Sequence, residues 1–218
     1  MIRHLLQLIW NQRKQNAWLW AELLLVSVFL WFLVDYLYVM GRTYTAPLGF
    51  DIRHTYSIVI SSLSERSPDY IPKEKRERPD GVHLLTALDR IRTYPGVESA
   101  CLTDGGMPYY MGSRNLVWRI DTLQVPCRYA FVTPEFFDVF RIYDKEGETA
   151  SLKRAIEDNN SIVISADVET MNPGLSLLGQ KAYRGNVTDE IEETIRGISV
   201  PIRRHEYTKA EPNVYRAL

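Results

Sequence analysis

Residues 17–40, AWLWAELLLVSVFLWFLVDYLYVM, constrain this chain more than any other stretch. These 24 residues hold two charges, Glu22 and Asp35. As one helix they measure about 36 Å, enough to cross a hydrocarbon core of about 30 Å. The carboxylates leave only residues 23–34 strictly uncharged, a length that also suits a buried core helix. Position decides for the membrane. Each acid lies within two turns of an end, where it costs much less than the roughly 3 kcal/mol expected at the bilayer centre. Trp18, Trp20, Tyr36 and Tyr38 supply aromatics at both ends, as membrane interfaces favour. One transmembrane helix is predicted over 17–40.

The net charge of -1 hides an uneven arrangement. Residues 1–16 carry Arg3, Arg13 and Lys14 and no acid, whereas 23 basic and 25 acidic residues follow residue 40. Basic residues beside a span stay in the cytoplasm, which predicts an inside N-terminus and an outside domain. A cleaved signal peptide would share the basic leader and the apolar run, but it needs small residues in an A-x-A-like site. The run ends instead in Asp35-Tyr36-Leu37-Tyr38-Val39-Met40. Within the leader, Ile2, Leu5, Leu6 and Ile9 fall on one helical face. That pattern fits an amphipathic helix at the inner interface or a plain extension of the span. The 218 residues leave room for one domain of about 175 residues, enough for a real core. A near-neutral outer domain gives no electrostatic footprint for nucleic acid.

The outer segment reads as mixed α+β. Residues 41–51 form a tether, and 54–61, HTYSIVIS, have the composition of a strand. A charged loop over 62–81 precedes a helix over 82–94, which Pro95-Gly96 stops. A second strand follows at 97–103. The glycine-rich 104–113 lacks the Lys-Ser/Thr ending of a phosphate loop. Strands at 116–122 and 125–132 meet at a Leu123-Gln124 turn. Thr133-Pro134-Glu135 then opens a short helix with a capping hydroxyl and presents Phe136, Phe137 and Phe140 to the core. A helix over 152–156, a strand over 161–165 and a helix to about Met171 come next. Two last strands are predicted at 180–184 and 197–203, with the acidic 188–193 as a turn or helix between them. Cys101 and Cys127 both lie outside, where a disulfide would persist; the alternative is two small buried apolar side chains. The four histidines are scattered, and Asn186-Val187-Thr188 matches a glycosylation acceptor.

Four features together resemble one family. They are the leader–span–outer domain order; RYAFVTPEFFDVFRIYDKEGE at 128–148; SIVISADVETMN at 161–172 with LLGQKAY at 177–183; and ISVPIRRHEYTKAEPNVYRAL at 198–218. The chain resembles the permease subunits of MacB/FtsX-like ABC transporters: an N-terminal transmembrane helix (17–40) after a cytoplasmic leader (1–16), then a MacB-type periplasmic core domain (44–218). The resemblance implies a non-catalytic role without cofactor or metal in the bacterial inner membrane. A cytoplasmic ABC ATPase would hydrolyse ATP, and the permease would pair with a second permease subunit, as a homo- or heterodimer. The outer domain would act on an exported substrate, a lipoprotein or another periplasmic partner. Glu22 and Asp35 are then candidates for helix packing and coupling. Family permeases continue into three further spans, so a chain cut short is expected. The sequence agrees in lacking G-x-x-x-x-G-K-[ST], H-E-x-x-H and G-x-S-x-G. The alternative is a single-pass sensor or receptor with an extracytoplasmic ligand-binding domain.

Overall fold

Neither glycine nor proline interrupts residues 17–40, and a single helix runs through them. In the computed structural model α1 spans Ala17–Thr45, 29 residues with none buried. It is long and apolar enough to cross a membrane. The helix outruns the predicted end at Met40 by five residues. Arg42 in the last turn meets the negative end of the helix dipole, and Thr45 Oγ1 donates to the Gly41 carbonyl at 3.0 Å. Pro47 then disfavours a helical Ala46. All residues are described except 1, 2, 5, 6, 8, 9, 11–13, 15, 16, 62, 77, 78, 111, 113 and 186–189. The leader's apolar face (Ile2, Leu5, Leu6, Ile9), Arg13 and the Asn186-Val187-Thr188 tripeptide therefore lie outside the described residues. Residues 1–46 and 47–218 form two separate units.

The second unit is α+β, as predicted. Its elements are α2 (Asp80–Arg92), β1 (Thr103–Asp104), β2 (Asn115–Ile120), β3 (Leu123–Val132), α3 (Phe136–Val139), α4 (Ala150–Ala155), β4 (Ser161–Ser165), α5 (Asp167–Met171), β5 (Lys181–Arg184), β6 (Ile191–Ser199) and β7 (Asn213–Ala217). The strand ladders close on themselves. β3 pairs β2, then β5, β6, β4 and β7 follow, and β7 pairs back onto β3. The β4–β6 and β3–β7 ladders are parallel, and the others in the ring are antiparallel. A closed ring leaves no long strand edge unpaired.

Alternation along the strands sorts apolar side chains into two clusters. Ile162 and Ile164 of β4 join Trp118, Ile120, Val125, Cys127, Ile195 and Val214 on one face. Val163, between them, joins Ala130, Val132 and Tyr215 on the other, under Phe136, Phe137, Phe140, Leu152 and Ile156. All five β4 residues are buried, as expected of a strand covered on both sides. Gly197 lets α4 approach β6, because a Cβ there would lie 2.8 Å from Val163 Cγ2 and 3.0 Å from Ala155 Cβ.

Several expectations are corrected. Residues 54–61 form no strand; their composition suits one, but the ring closes without them. The second predicted strand, over 97–103, shrinks to the two residues Thr103–Asp104, so the strand, loop, helix and strand predicted over 54–103 do not form as a unit. The β2–β3 turn falls at Asp121-Thr122, not Leu123-Gln124, and Asp121 takes φ 52°, a left-handed conformation that aspartate tolerates. The Thr133 hydroxyl does not cap α3; it accepts the Leu102 N–H at 3.1 Å. Residues 191–193, expected in a turn or helix, belong to β6, which ends at Ser199 instead of Arg203. β7 has no counterpart among the predicted strands. Cys101 and Cys127 are free thiols packed in different clusters, so no disulfide joins them.

Candidate functional site

The predicted coupling acids, Glu22 and Asp35, both lie on α1 and are exposed. The most elaborated polar arrangement lies elsewhere, where the chain enters the second unit. Residues 47–55 run over the domain as a strap. The Arg203 N–H donates to the Leu48 carbonyl at 3.0 Å, and the Asp51 N–H to the Phe140 carbonyl at 2.9 Å. Thr55 Oγ1 adds a longer bond of 3.4 Å to the Val139 carbonyl. Contact is closest at Gly49, with φ +83°, where a Cβ would come within 2.1 Å of the Pro201 oxygen. Only glycine fits there, both for its dihedral and for its lack of a side chain.

An open cleft of about 580 Å³ follows the strap, lined by Phe50, Asp51, Arg53, His54, Arg141 and Tyr143 among others. Asp51 organises it. One carboxylate oxygen accepts the Arg53 N–H at 2.8 Å, and the other takes the Arg53 guanidinium at 2.7 and 2.9 Å. Arg141 Nη1 lies 3.7 Å from the same carboxylate and donates to the Arg53 carbonyl at 3.1 Å. The Arg53 bonds hold the Asp51 carboxyl down to about 2. Two of the lining residues, His54 (φ 61°) and Arg141 (φ 50°), have left-handed backbones. Such strain persists only where surrounding contacts over-determine it.

A second cluster centres on Glu193 of β6, which has no exposed surface. Its carboxylate touches Arg216 Nε of β7 and lies 3.4 Å from Arg184 Nε of β5. These are ionic contacts without aligned hydrogen bonds. Burial pushes the Glu193 carboxyl up, against the pull of Arg216 and Arg184. The Arg216 guanidinium also lies 5.2 Å from the Phe131 ring centroid. Among the described residues no group of three or more His, Cys, Asp or Glu side chains could hold a metal ion.

Sequence reasoning passed over both clusters. Asp51-x-Arg53 is a local turn signal, but Arg141 lies 88 residues from Arg53 and only the fold brings it there. Glu193 sits in an acidic stretch that reads as solvated, and its burial depends on the register of β6.

No family model matches the chain, and no curated protein matches it. Several solved structures do, among them these three. The periplasmic region of MacB from Actinobacillus actinomycetemcomitans is 10% identical over 61% of this chain and 54% of that one, with a TM-score of 0.41. A domain of a protein assigned as a permease from Porphyromonas gingivalis is 20% identical over 59% and 49%, with a TM-score of 0.43. The extracellular domain of the noncanonic ABC-type transporter YknZ from Gram-positive bacteria is 11% identical over 60% and 59%, with a TM-score of 0.40. The chain spans about half the length of the structures it matches.

Proposed function

We propose that the chain is the N-terminal span and periplasmic domain of a permease subunit of a MacB/FtsX-like ABC transporter. In this role it is not an enzyme. A separate cytoplasmic ATPase supplies the energy, a second permease subunit completes the membrane part, and the domain works on an exported substrate, a lipoprotein or a periplasmic partner. The basic leader supports a cytoplasmic N-terminus. One observation carries the proposal: the chain leaving an apolar helix of 29 residues is pinned at once to a folded domain, through the Leu48 carbonyl, Gly49 and Asp51. A helix displacement pulls on a strap held by backbone hydrogen bonds, which suits the transmission of mechanical work.

The test is Gly49→Val in a complete permease assembled with its ATPase. A side chain at this position displaces the strap from Pro201. The expected result is a folded domain whose ATP-driven activity is lost. Full coupling in a variant whose strap amides exchange freely would sink the proposal.

The sensor reading has the cleft in its favour, since about 580 Å³ is ample for a small ligand. The two separate on ATP: a sensor responds to ligand without any ATPase, and a transporter subunit does not.

A further inference from the structure

The cleft beside the strap points to a ligand. Arg53 and Arg141 flank a single carboxylate, Asp51, and His54 lines the same cleft. Two guanidiniums against one acid leave the lining net positive before His54 is counted. Arg53 uses Nε and Nη2 on Asp51, and Arg141 uses Nη1 on the Arg53 carbonyl. Arg53 Nη1 and Arg141 Nε and Nη2 have no hydrogen-bond acceptor among the described residues. Guanidinium N–H groups in a planar fork match phosphate oxygens in geometry and charge. Phe50 and Tyr143 add aromatic wall to the same cleft.

Two further features bear on where such a phosphate comes from. Gly49 follows Thr45, the last residue of the apolar helix, by only four residues. Just past the cleft, Tyr56, Ile58, Val59 and Ile60 are 85%, 64%, 87% and 51% exposed and pair with no strand. Consecutive exposed apolar residues mark an interaction surface, and aromatic and aliphatic side chains next to cationic ones suit the headgroup region of a bilayer.

We infer that this cleft binds a phosphate group, supplied by an anionic phospholipid headgroup in the leaflet at the C-terminal end of α1. The inference rests on α1 spanning a membrane and not on coupling to an ATPase. A permease without this site would fail the test below and still transport.

The experiment places the full chain in nanodiscs of phosphatidylcholine, with or without phosphatidylglycerol, and follows amide exchange over residues 49–55. Phosphatidylglycerol is expected to slow exchange there about tenfold, as ligand occupancy in excess of Kd does. Arg53→Gln should abolish the difference between the two membranes. The Arg53 side chain is 83% exposed, so its loss leaves the core intact. Arg196→Gln, at an exposed pair with Asp158, should retain the difference. Equal exchange in both membranes, or slowing that survives Arg53→Gln, overturns the site. A third arm adds inorganic phosphate to the chain in phospholipid-free micelles. Slowing there, with none from phosphatidylglycerol, would assign a soluble phosphate and overturn the lipid source.

Discussion

Asp51 shows how much one half-buried carboxylate can organise when both its oxygens are engaged. A carboxyl held below its ordinary value stabilises the folded form above the unfolded value near 3.8 and loses that contribution as pH falls toward 2. The strap should therefore loosen in that window, with an Asp51 carboxyl titration midpoint near 2 by carbon NMR; a midpoint near 3.8 would mean the Arg53 pair is not populated. Glu193 differs, because it is fully buried between two cations. Glu193→Gln leaves both guanidiniums uncompensated, and breaking a buried pair in this way costs about 3–5 kcal/mol. A fall in the domain's melting temperature of about 6–20 °C should follow. Burial pushes the thiols of Cys101 up to about 11 and Cys127 up to about 12. Both should resist alkylation at neutral pH in the folded protein and react without reductant once it is unfolded. Labelling that needs reductant would instead reveal a disulfide.

At the scale of elements, α3 is only four residues long, yet it places Phe136 and Phe137 in the core with no exposed surface. Phe136 packs in tilted pairs with Phe140 and Tyr215 at centroid distances of 4.8 and 5.4 Å. Phe136→Ala and Phe137→Ala should each cost about 3–5 kcal/mol, read from the domain's denaturation midpoint. Unchanged curves for both would remove this helix from the core. α1 presents the opposite case, a helix whose residues are all unburied. Glu22 and Asp35 are about 20 Å apart along it and roughly 140° around it, so they do not face one neighbour together. Intramembrane acids turn toward protein or water, and at least one is expected to face another span. In a complete permease with its ATPase, Glu22→Gln or Asp35→Asn should impair assembly or coupling while the domain stays folded. Normal behaviour of both variants would leave them as acids that reach the headgroups.

For the whole molecule the topology is the first thing to establish. A reporter active only in the cytoplasm, fused after Leu218, should be silent in cells; strong activity would put the domain on the inner side. The unpaired 54–61 segment also belongs to this scale. It has the composition of a strand, but β7 returns to β3 and β4 and closes the ring of ladders.

What the sequence determined by itself is local. Apolar length defines α1; period and stop signals define α2; and a continuous run of Ile and Val defines β4, whose predicted limits are its observed ones. The inward turn of Phe136, Phe137 and Phe140 was equally legible, because a short helix can hide three aromatics only on its core side. The tertiary structure decided everything that depends on which strand lies beside which. It consigned 54–61 to an unpaired run, drew 191–193 into β6 and buried Glu193 between Arg184 and Arg216. It also carried Arg141 to Asp51 across most of the domain. Hydrophobic period records only whether a side chain faces inward; pairing partners and ion pairs across long loops are set by how the whole chain closes, which no local window contains.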